Sequence, residues 1–246
     1  MRKSEFIKRS EIRVVETDFI IIGSGIAGLF SAFKLSELGE VYVLTKADKR
    51  ENNSSYAQGG IAAVISEADS FEAHYKDTIK AGAEHCYPEA VELLVKKGPA
   101  RINELIELGT NFDGWNNNFD LTKEGGHTQR RILHAGDATG REISQSLLEA
   151  VKEKKNIMLK EKHFVFKLLL AKDNNGKRKT NGVLVKDRAE DELFIIRASV
   201  IVMAAGGCGQ LFSRSSNPEL TTGDGIAAAF RAGAEVLDLE FMQFHP

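Results

Sequence analysis

Three glycines form the first pattern in the sequence that could do chemistry, Gly23-x-Gly25-x-x-Gly28. The pattern follows a short run, residues 18–22, that is apolar after Asp18, and it precedes residues with helical apolar spacing, so it stands at a strand-to-helix turn. Glycines there permit a tight bend and let the backbone approach a pyrophosphate, which the N–H groups and dipole of the helix start attract. The pattern predicts a dinucleotide-binding turn. A glycine-rich turn that holds no ligand is the alternative.

The residues after the next apolar run, 41–44, leave the kind of nucleotide open. An NAD site has Asp or Glu about 20 residues after the glycines, where the carboxylate accepts from a ribose hydroxyl. Here Thr45 and Lys46 follow the run, with Lys49 and Arg50 beyond them, and a lysine side chain can only donate. This cluster is compatible with the 2′-phosphate of NADP, with a flavin nucleotide or with a solvated basic loop.

The segment 54–63 adds the adjacent glycines Gly59 and Gly60. Adjacent glycines can arrange backbone N–H groups into a concave donor surface. Because such a surface suits the edge of a flavin ring, the segment favours a flavin nucleotide.

A series of motifs then occurs in one order along the chain. They are Tyr56-Ala-Gln-Gly-Gly-Ile-Ala-Ala63, Glu124-Gly-Gly-His127, His134-Ala-Gly-Asp-Ala-Thr-Gly-Arg141, Ala205-Gly-Gly-x-Gly209, Asn217-Pro218, Thr222-Gly-Asp-Gly-Ile-Ala227 and Glu240-Phe-x-Gln-Phe-His-Pro246. Their order resembles the flavoprotein group of fumarate reductases, succinate dehydrogenases and L-aspartate oxidases, and it is most similar to the L-aspartate oxidases. The resemblance runs from about Asp18 to the last residue.

The resemblance implies an FAD that is bound non-covalently. In the respiratory enzymes of this group, a histidine just before the Gln-Gly-Gly run bonds covalently to the flavin. The matching position here is Asn53. An asparagine amide is not nucleophilic enough to form that bond.

The resemblance also implies two residues that meet the substrate, Glu124 and His245. In L-aspartate oxidases the matching glutamate meets the α-ammonium group of the substrate. Succinate and fumarate carry no such cation, so a carboxylate would only repel them. The matching histidine binds a substrate carboxylate. Weaker candidates for the wall of the same site are His127, Thr128, Arg130 and Arg131.

Cofactor contacts carry over from the same family. The glycine turn is assigned to the pyrophosphate, Lys46 to the ribose or adenine side and residues 53–60 to the isoalloxazine ring. Val165 is assigned to adenine through its backbone, and Asp224 to the ribityl chain. The predicted cofactor-binding residues are Gly23, Ser24, Gly25, Ile26, Ala27, Gly28, Lys46, Asn53, Ser54, Ser55, Tyr56, Ala57, Gln58, Gly59, Gly60, Val165 and Asp224.

The implied activity is FAD-dependent oxidation of L-aspartate to iminoaspartate, the first step of de novo NAD biosynthesis. Oxygen or fumarate is the electron acceptor, and quinolinate synthase is a possible partner. The family's catalytic arginine lies in a capping domain after the Gln-Phe-His-Pro motif, so this chain is expected to be an N-terminal portion that turns over aspartate poorly or not at all. The alternatives are a soluble flavoprotein like fumarate reductase or succinate dehydrogenase, and a nucleotide-binding remnant without catalysis.

The predicted strands and helices that carry these residues indicate an α/β fold. Apolar runs at 19–22, 41–44 and 200–204 are typical of strands buried on both faces of a parallel sheet. We expect a Rossmann-like FAD-binding domain at 17–246, with a central parallel sheet and an antiparallel β-meander inserted at about 157–199. Residues 1–16 are expected to form a charged leader. Helices are predicted at 29–38, 71–81, 88–94, 99–108, 141–153 and 223–232.

Composition excludes several other classes of protein. The 246 residues carry a formal net charge of −2, which argues against non-specific nucleic-acid binding. Two distant cysteines, Cys86 and Cys208, rule out a disulfide scaffold and have no metal-type spacing. The apolar runs are far shorter than the roughly 18 residues of a membrane span. We therefore expect a cytoplasmic protein with no metal, membrane or nucleic-acid partner.

Overall fold

The computed structural model describes residues 12–115 and 118–244. The strands, in chain order, are β1 (Val14–Glu16), β2 (Phe19–Ile22), β3 (Val41–Leu44), β4 (Ile61–Ala62), β5 (Gly114–Trp115), β6 (Asn118–Phe119), β7 (Ile132–Leu133), β8 (Ile157–Lys160), β9 (His163–Lys172), β10 (Arg178–Asp187), β11 (Leu193–Arg197) and β12 (Val200–Met203). The α-helices are α1 (Ile26–Leu35), α2 (Asn53–Tyr56), α3 (Phe71–Ala81), α4 (Pro88–Glu107), α5 (Thr139–Glu153) and α6 (Asp224–Ala232).

These elements divide into two compact units. The described residues up to Asn53 and from Ala150 onward form one, which we call the sheet unit. Ser54–Glu149 form the other, the helical unit.

The sheet unit contains a parallel sheet with the strand order β12-β2-β3-β8. Ile20, Ile21, Val41 and Val43 have no exposed surface, as expected for strands covered on both faces. Helix α1 connects the parallel neighbours β2 and β3. This arrangement confirms the predicted strand–helix–strand unit and the α/β fold class.

A second sheet in the same unit has the order β1-β11-β10-β9. Its strands β9, β10 and β11 are consecutive and antiparallel, as predicted for the meander. The first hairpin turns where the Gly176 N–H donates to the Asp173 carbonyl oxygen at 2.9 Å. Ile20 of β2 and Val183 of β10 belong to one buried apolar cluster, so the two sheets share a core.

Helix α1 lies at Ile26–Leu35 and not at the predicted 29–38, and two strand assignments also differ from the sequence-based expectation. Val14–Glu16, placed in the charged leader, is a strand that pairs in parallel with β11. The strand β8, placed at the start of the meander, instead completes the parallel sheet beside β3. A positive φ of 60° at Lys162 separates β8 from β9, so the first residues of the predicted meander belong to a different sheet from the rest.

The helical unit is built around α3, α4 and the short antiparallel pair β4–β7. Helix α3 begins as predicted, since the Ser70 hydroxyl accepts from the Ala73 N–H at 3.1 Å. Ala63, Ile102 and Leu133 form the buried centre of the unit. This core holds β4 and β7 together, and each of those strands continues directly from a predicted site motif.

Helix α4 corrects another expectation, because Pro88–Glu107 is one helix with Pro99 inside it. The two prolines predicted two helices, at 88–94 and 99–108. A proline disfavours helical backbone in the residue before it, partly through that residue's Cβ. Gly98 has no Cβ, which relieves this restriction. Within residues 12–115 and 118–244, no helix combines the length and apolar character needed to cross a membrane.

Candidate functional site

The glycine turn between β2 and α1 is shaped by two close backbone approaches. Gly23 has a φ of +115°, and a Cβ there would lie 2.1 Å from the Ala204 carbonyl oxygen. A Cβ on Gly28 would lie 2.0 Å from the Gly23 carbonyl oxygen. Any larger residue at either position would force β2, α1 and β12 apart.

The start of α1 has no side-chain cap in the described part of the chain. Gly25 occupies the cap position with extended backbone, at φ −74° and ψ 179°. The first N–H groups of a helix have no partner within the helix, and its dipole adds a partial positive charge. The turn therefore fits the pyrophosphate of a dinucleotide such as FAD.

Ser24 belongs to this turn, but its side chain points to another loop. The residue is 2% exposed, and its hydroxyl donates to the Lys49 carbonyl oxygen at 3.1 Å. The Asn52 side-chain amide donates to the carbonyl oxygens of Ser24 and Lys49, both at 3.3 Å. These contacts fasten the loop after β3 to the glycine turn. Because the Ser24 hydroxyl is engaged there, Ser24 can contribute to the predicted phosphate site only through its backbone.

The two lysines after β3 are held by carboxylates. The Lys46 ammonium group pairs with Asp224 and donates to the Thr222 hydroxyl at 2.8 Å. Lys49 donates to Glu161 from its backbone N–H at 2.9 Å and from its ammonium group at 2.7 Å. These ion pairs weigh against a 2′-phosphate site in this cluster.

The carboxylates of these ion pairs both have lowered pKa values. Hydrogen bonds from Lys49 lower the pKa of Glu161. Burial alone would raise the pKa of Asp224, but the hydrogen bonds from Lys46 and Thr222 outweigh it and lower that pKa. Asp224 is the first residue of α6, and Gly223 before it has a left-handed φ of 73°. The structure thus brings together two predicted cofactor residues, Lys46 and Asp224.

Asn53 is tied to the segment that follows β12. Its side-chain amide donates to the Asn217 side-chain oxygen at 3.1 Å and to the Thr221 hydroxyl at 3.2 Å. Asn217 in turn packs on Gly209, where a Cβ would lie 2.7 Å from its Cγ. The residue at the flavin-linking position is therefore an amide donor in a polar cluster.

The helical unit contains the paired-glycine segment, which we define as Ser54–Gly60. Its residues from Tyr56 to Gly60 are exposed. Gly140 supports it from α5, because the Gly140 N–H donates to the Ala57 carbonyl oxygen at 2.9 Å. A Cβ on Gly140 would lie 1.9 Å from the Ser54 carbonyl oxygen. The motif at 134–141 thus shapes the segment predicted to line the flavin ring.

Glu124 lies beside this segment. One carboxylate oxygen of Glu124 is 3.8 Å from the position of a Cβ on Gly59. Glu124 is exposed and begins a turn in which the His127 N–H donates to its carbonyl oxygen at 3.0 Å. The structure therefore places a solvent-facing carboxylate next to the predicted flavin-lining backbone.

Arg131 was expected to form part of the site wall, but the structure places it in the interior. Its side chain has no exposed surface and donates to both carboxylate oxygens of Asp69 at 2.8 Å. A third nitrogen donates to Asp77 at 2.7 Å. A buried guanidinium with two carboxylate partners is not available to a substrate, so its role is structural. The neighbouring Arg130 is exposed and donates to the Leu121 carbonyl oxygen at 3.0 Å.

Each remaining predicted site residue belongs to one of the two units or lies outside the described residues. Val165 is half-buried in β9, the edge strand of its sheet. His245 lies outside the described residues. In the described ranges, no group of three or more His, Cys, Asp or Glu side chains could hold a metal ion. The sheet unit thus contains Gly23–Gly28, Lys46, Asn53, Val165 and Asp224, and the helical unit contains Ser54–Gly60 and Glu124.

Sequence reasoning missed the residues that hold these groups in place. Asn217 and Thr221 anchor Asn53, and the Asn217-Pro218 motif was a signal that the first of them matters. Asp69 and Asp77 carry no local signal, because their partner Arg131 is 62 and 54 residues away along the chain.

Comparison with known proteins gives a family and several relatives. The family model described as "FAD binding domain" matches residues 18–246. An L-aspartate oxidase of Nicotiana tabacum is 45% identical over 230 residues, which are 93% of this chain and 35% of that protein. An L-aspartate oxidase of Streptomyces coelicolor is 43% identical over 238 residues, which are 94% of this chain and 40% of that protein. The chain therefore spans well under half the length of these relatives.

The fold is also shared with solved structures. Quinol fumarate reductase FrdA of E. coli superposes with a TM-score of 0.84 at 27% identity, over 89% of this chain and 37% of that one. The likeness thus extends over most of the chain. It supports the α/β fold derived above.

Proposed function

We propose a function from one premise: this chain belongs to the FAD binding domain family. The proposed activity is the FAD-dependent oxidation of L-aspartate to iminoaspartate, to which the chain contributes the cofactor-binding part and one side of the substrate site. Relatives that are 43% and 45% identical carry the name L-aspartate oxidase. Because the chain spans 35–40% of their length, the activity of the whole enzyme is part of the proposal.

The observation that carries the proposal is the position of Glu124. Its carboxylate borders the paired-glycine segment at Gly59, where the resemblance assigns the flavin ring. A carboxylate stabilises an ammonium group through a charge-assisted hydrogen bond, and it repels a ligand that carries only carboxylates. This charge favours an amino diacid such as aspartate over succinate.

When bound, FAD supplies the redox chemistry by accepting the two electrons of amine oxidation. The residues proposed to hold it are the backbone of the glycine turn, the Lys46–Asp224 pair and the paired-glycine segment. Glu124 orients the substrate through its α-ammonium group, and His245 is proposed to hold one of its carboxylates. Orientation of this kind converts a bimolecular reaction into an effectively unimolecular one.

We also propose that the flavin stays non-covalent. Asn53 donates its amide to Asn217 and Thr221, and an amide nitrogen is a poor nucleophile. Acid precipitation of the FAD-loaded chain tests this point. All flavin absorbance should remain in the supernatant, and yellow precipitated protein would contradict the proposal.

The substrate preference is tested by titrating the FAD-saturated chain with L-aspartate and with succinate, following the flavin absorption spectrum. We expect a perturbation at lower concentration with L-aspartate. A tighter response to succinate would favour the alternative, a flavoprotein that acts on dicarboxylates without an amine. No response to either ligand would favour a nucleotide-binding remnant.

Turnover by the isolated chain is expected to be poor or absent, because the resemblance places the catalytic arginine in a capping domain. Peroxide release from the FAD-saturated chain with L-aspartate in air is the measurement. A rate near that of a full-length relative would contradict this part of the proposal. Oxygen or fumarate as acceptor, a cytoplasmic location, a role in NAD biosynthesis and quinolinate synthase as a partner stay predictions.

A further inference from the structure

The turn that carries Glu124 is fastened to a set of ion pairs and hydrogen bonds, which we call the Asp77 anchor and define as Asp69, Asp77, Thr128 and Arg131. The three charged side chains are buried, and Thr128 is exposed. One oxygen of Asp77 accepts from the Thr128 N–H at 2.8 Å, from the Thr128 hydroxyl at 2.8 Å and from Arg131 at 2.7 Å. Asp77 is 6% exposed and Arg131 has no exposed surface. A buried carboxylate with three donors is a rigid point of attachment.

This attachment lies four residues from Glu124. The His127 N–H donates to the Glu124 carbonyl oxygen at 3.0 Å, which closes a turn directly before Thr128. On the other side, the Arg131 N–H donates to the Thr122 carbonyl oxygen at 3.1 Å. The residues from Thr122 to Arg131 therefore form a loop whose base is fixed to α3 through Asp77.

The electrostatics agree with a strong anchor. Burial alone would raise the pKa of Asp77, but the hydrogen bonds from Thr128 and Arg131 outweigh it and lower that pKa. The carboxylate therefore stays charged and keeps its three donors. Since Asp77 belongs to the middle of α3, the anchor fixes the loop to a regular element of the helical unit.

We infer that Thr128, through Asp77, is a positioning residue that holds the Glu124 carboxylate against the paired-glycine segment. This inference rests on the proposed function, because it assigns the amine preference to the placement of Glu124. Because Glu124 is exposed, the position of its carboxylate depends on the backbone of the turn that carries it. Thr128 does not touch the substrate in this account.

The test removes one donor and keeps the shape. Thr128→Val deletes the hydroxyl that Asp77 accepts, while Thr128→Ser retains it. Thr110→Val is the matched control in the same unit, because Thr110 is 2% exposed and, among the described residues, its hydroxyl has no hydrogen-bond partner. All three variants are made in the complete 246-residue chain.

The first readout is hydrogen exchange of the His127 and Thr128 amides, and it needs no ligand. In T128V both should exchange about tenfold faster or more, as expected from the loss of a hydrogen bond to a charged group. T128S and T110V should exchange as the unmodified chain does. Unchanged exchange in T128V, or equal acceleration in T110V, would overturn the inference.

The second readout is the ratio of L-aspartate and succinate affinities of the FAD-saturated chain. T128V should lower the ratio of L-aspartate affinity to succinate affinity about tenfold, and T128S should restore the ratio. In a Glu124→Gln background, T128V should have no further effect on the ratio. Equal weakening of both ligands by T128V would show a merely structural role and overturn the inference.

Failure of the proposed function would look different. If the unmodified chain binds succinate as tightly as L-aspartate, the function is wrong whatever the exchange data show. If the unmodified chain prefers L-aspartate and T128V accelerates exchange without changing the ratio, the function stands and the positioning role is wrong.

Discussion

The glycine turn at Gly23–Gly28 and the turn at Glu124 present their functional groups in opposite ways. In the first, the proposed functional groups are backbone N–H groups at a helix start, and the one polar side chain, Ser24, is buried in a contact with Lys49. In the second, a side chain faces outward, and buried ion pairs between distant residues hold the turn. The cofactor region thus uses backbone geometry, whereas the candidate substrate region uses a charged side chain on an anchored loop.

This difference shows where each region is vulnerable. Backbone geometry depends on the absence of side chains and on apolar packing, so it fails when atoms are added. An anchored charge depends on a balance of buried charges, so it fails when one partner is removed. Variants that add atoms in the sheet unit, and variants that remove charge in the helical unit, should therefore test the two regions independently.

The largest effect is expected from Arg131→Met in the helical unit. It leaves the carboxylates of Asp69 and Asp77 buried without their cation, which costs about 3–5 kcal/mol. The free energy of unfolding from urea denaturation, followed by circular dichroism, measures the loss. Arg130→Met is the matched control, because this exposed neighbour should change stability by only about 0.5 kcal/mol. Equal effects of the two variants would refute the structural role of Arg131.

A somewhat smaller effect is expected from Gly23→Ala in the sheet unit. The new Cβ would lie 2.1 Å from the Ala204 carbonyl oxygen, at a φ of +115° that alanine rarely adopts. Strain and overpacking together should cost about 3 kcal/mol, and FAD affinity should fall with them. Urea denaturation and FAD fluorescence titration provide the measurements.

Gly125→Ala is the control for that variant. Gly125 has no other atom within 4 Å of a new Cβ, so stability should change little. A stable Gly23→Ala chain that binds FAD like the unmodified one would break the first half of the comparison.

Each region could be predicted from the sequence to the extent that its contacts join residues close together along the chain. The strand–glycine–helix pattern is local, so β2, β3 and the helix between them were predicted, although α1 begins three residues earlier than expected. The bounds of α3 were also predicted. Helix α4 was divided at Pro99 because the Gly98 that precedes it was not weighed against the proline. The strand β1 was missed because its partner β11 lies about 180 residues away along the chain.

The site shows the same pattern. The glycine turn and the paired-glycine segment have sequence signatures, and Glu124 was proposed from its motif. The role of Arg131 was wrong because its carboxylate partners lie on another part of the chain and nothing in their local sequence identifies them. Burial and long-range charge pairing decide such roles, and neither can be inferred from residue type alone.

A smaller, pH-dependent effect is expected from His74 beside the Asp77 anchor. Burial and the charge of Arg131 lower the pKa of His74 below its usual value of 6.5, against the opposing charges of Asp69 and Asp77 and with a further lowering by His127. Below pH 6.5 the unfolded chain therefore binds a proton that the folded chain does not. Stability should fall as the pH drops from 6.5 until the lowered pKa is reached.

The measurement is the urea midpoint between pH 7.5 and 5. His74→Gln removes the titrating group, so its midpoint should depend less on pH in this window. An equal pH dependence in both proteins would show that His74 has the same pKa in the folded and the unfolded chain. That result would contradict the lowered pKa of His74 in the folded chain.

The smallest effect on stability, and the sharpest on ligand choice, is expected from Glu124→Gln. The side chain is exposed, so the free energy of unfolding should change by only about 0.5 kcal/mol. Loss of the charge removes an ion pair with the substrate ammonium group and the repulsion of a diacid. The preference for L-aspartate over succinate should therefore fall about tenfold or more.

That preference, measured by flavin difference spectra in the FAD-saturated chain and in its Glu124→Gln variant, tests the central claim most directly. The unmodified chain should bind L-aspartate more tightly than succinate, and the variant should lose that advantage while retaining FAD. An equal ratio of the two affinities in both proteins would show that the carboxylate beside Gly59 does not select the ligand.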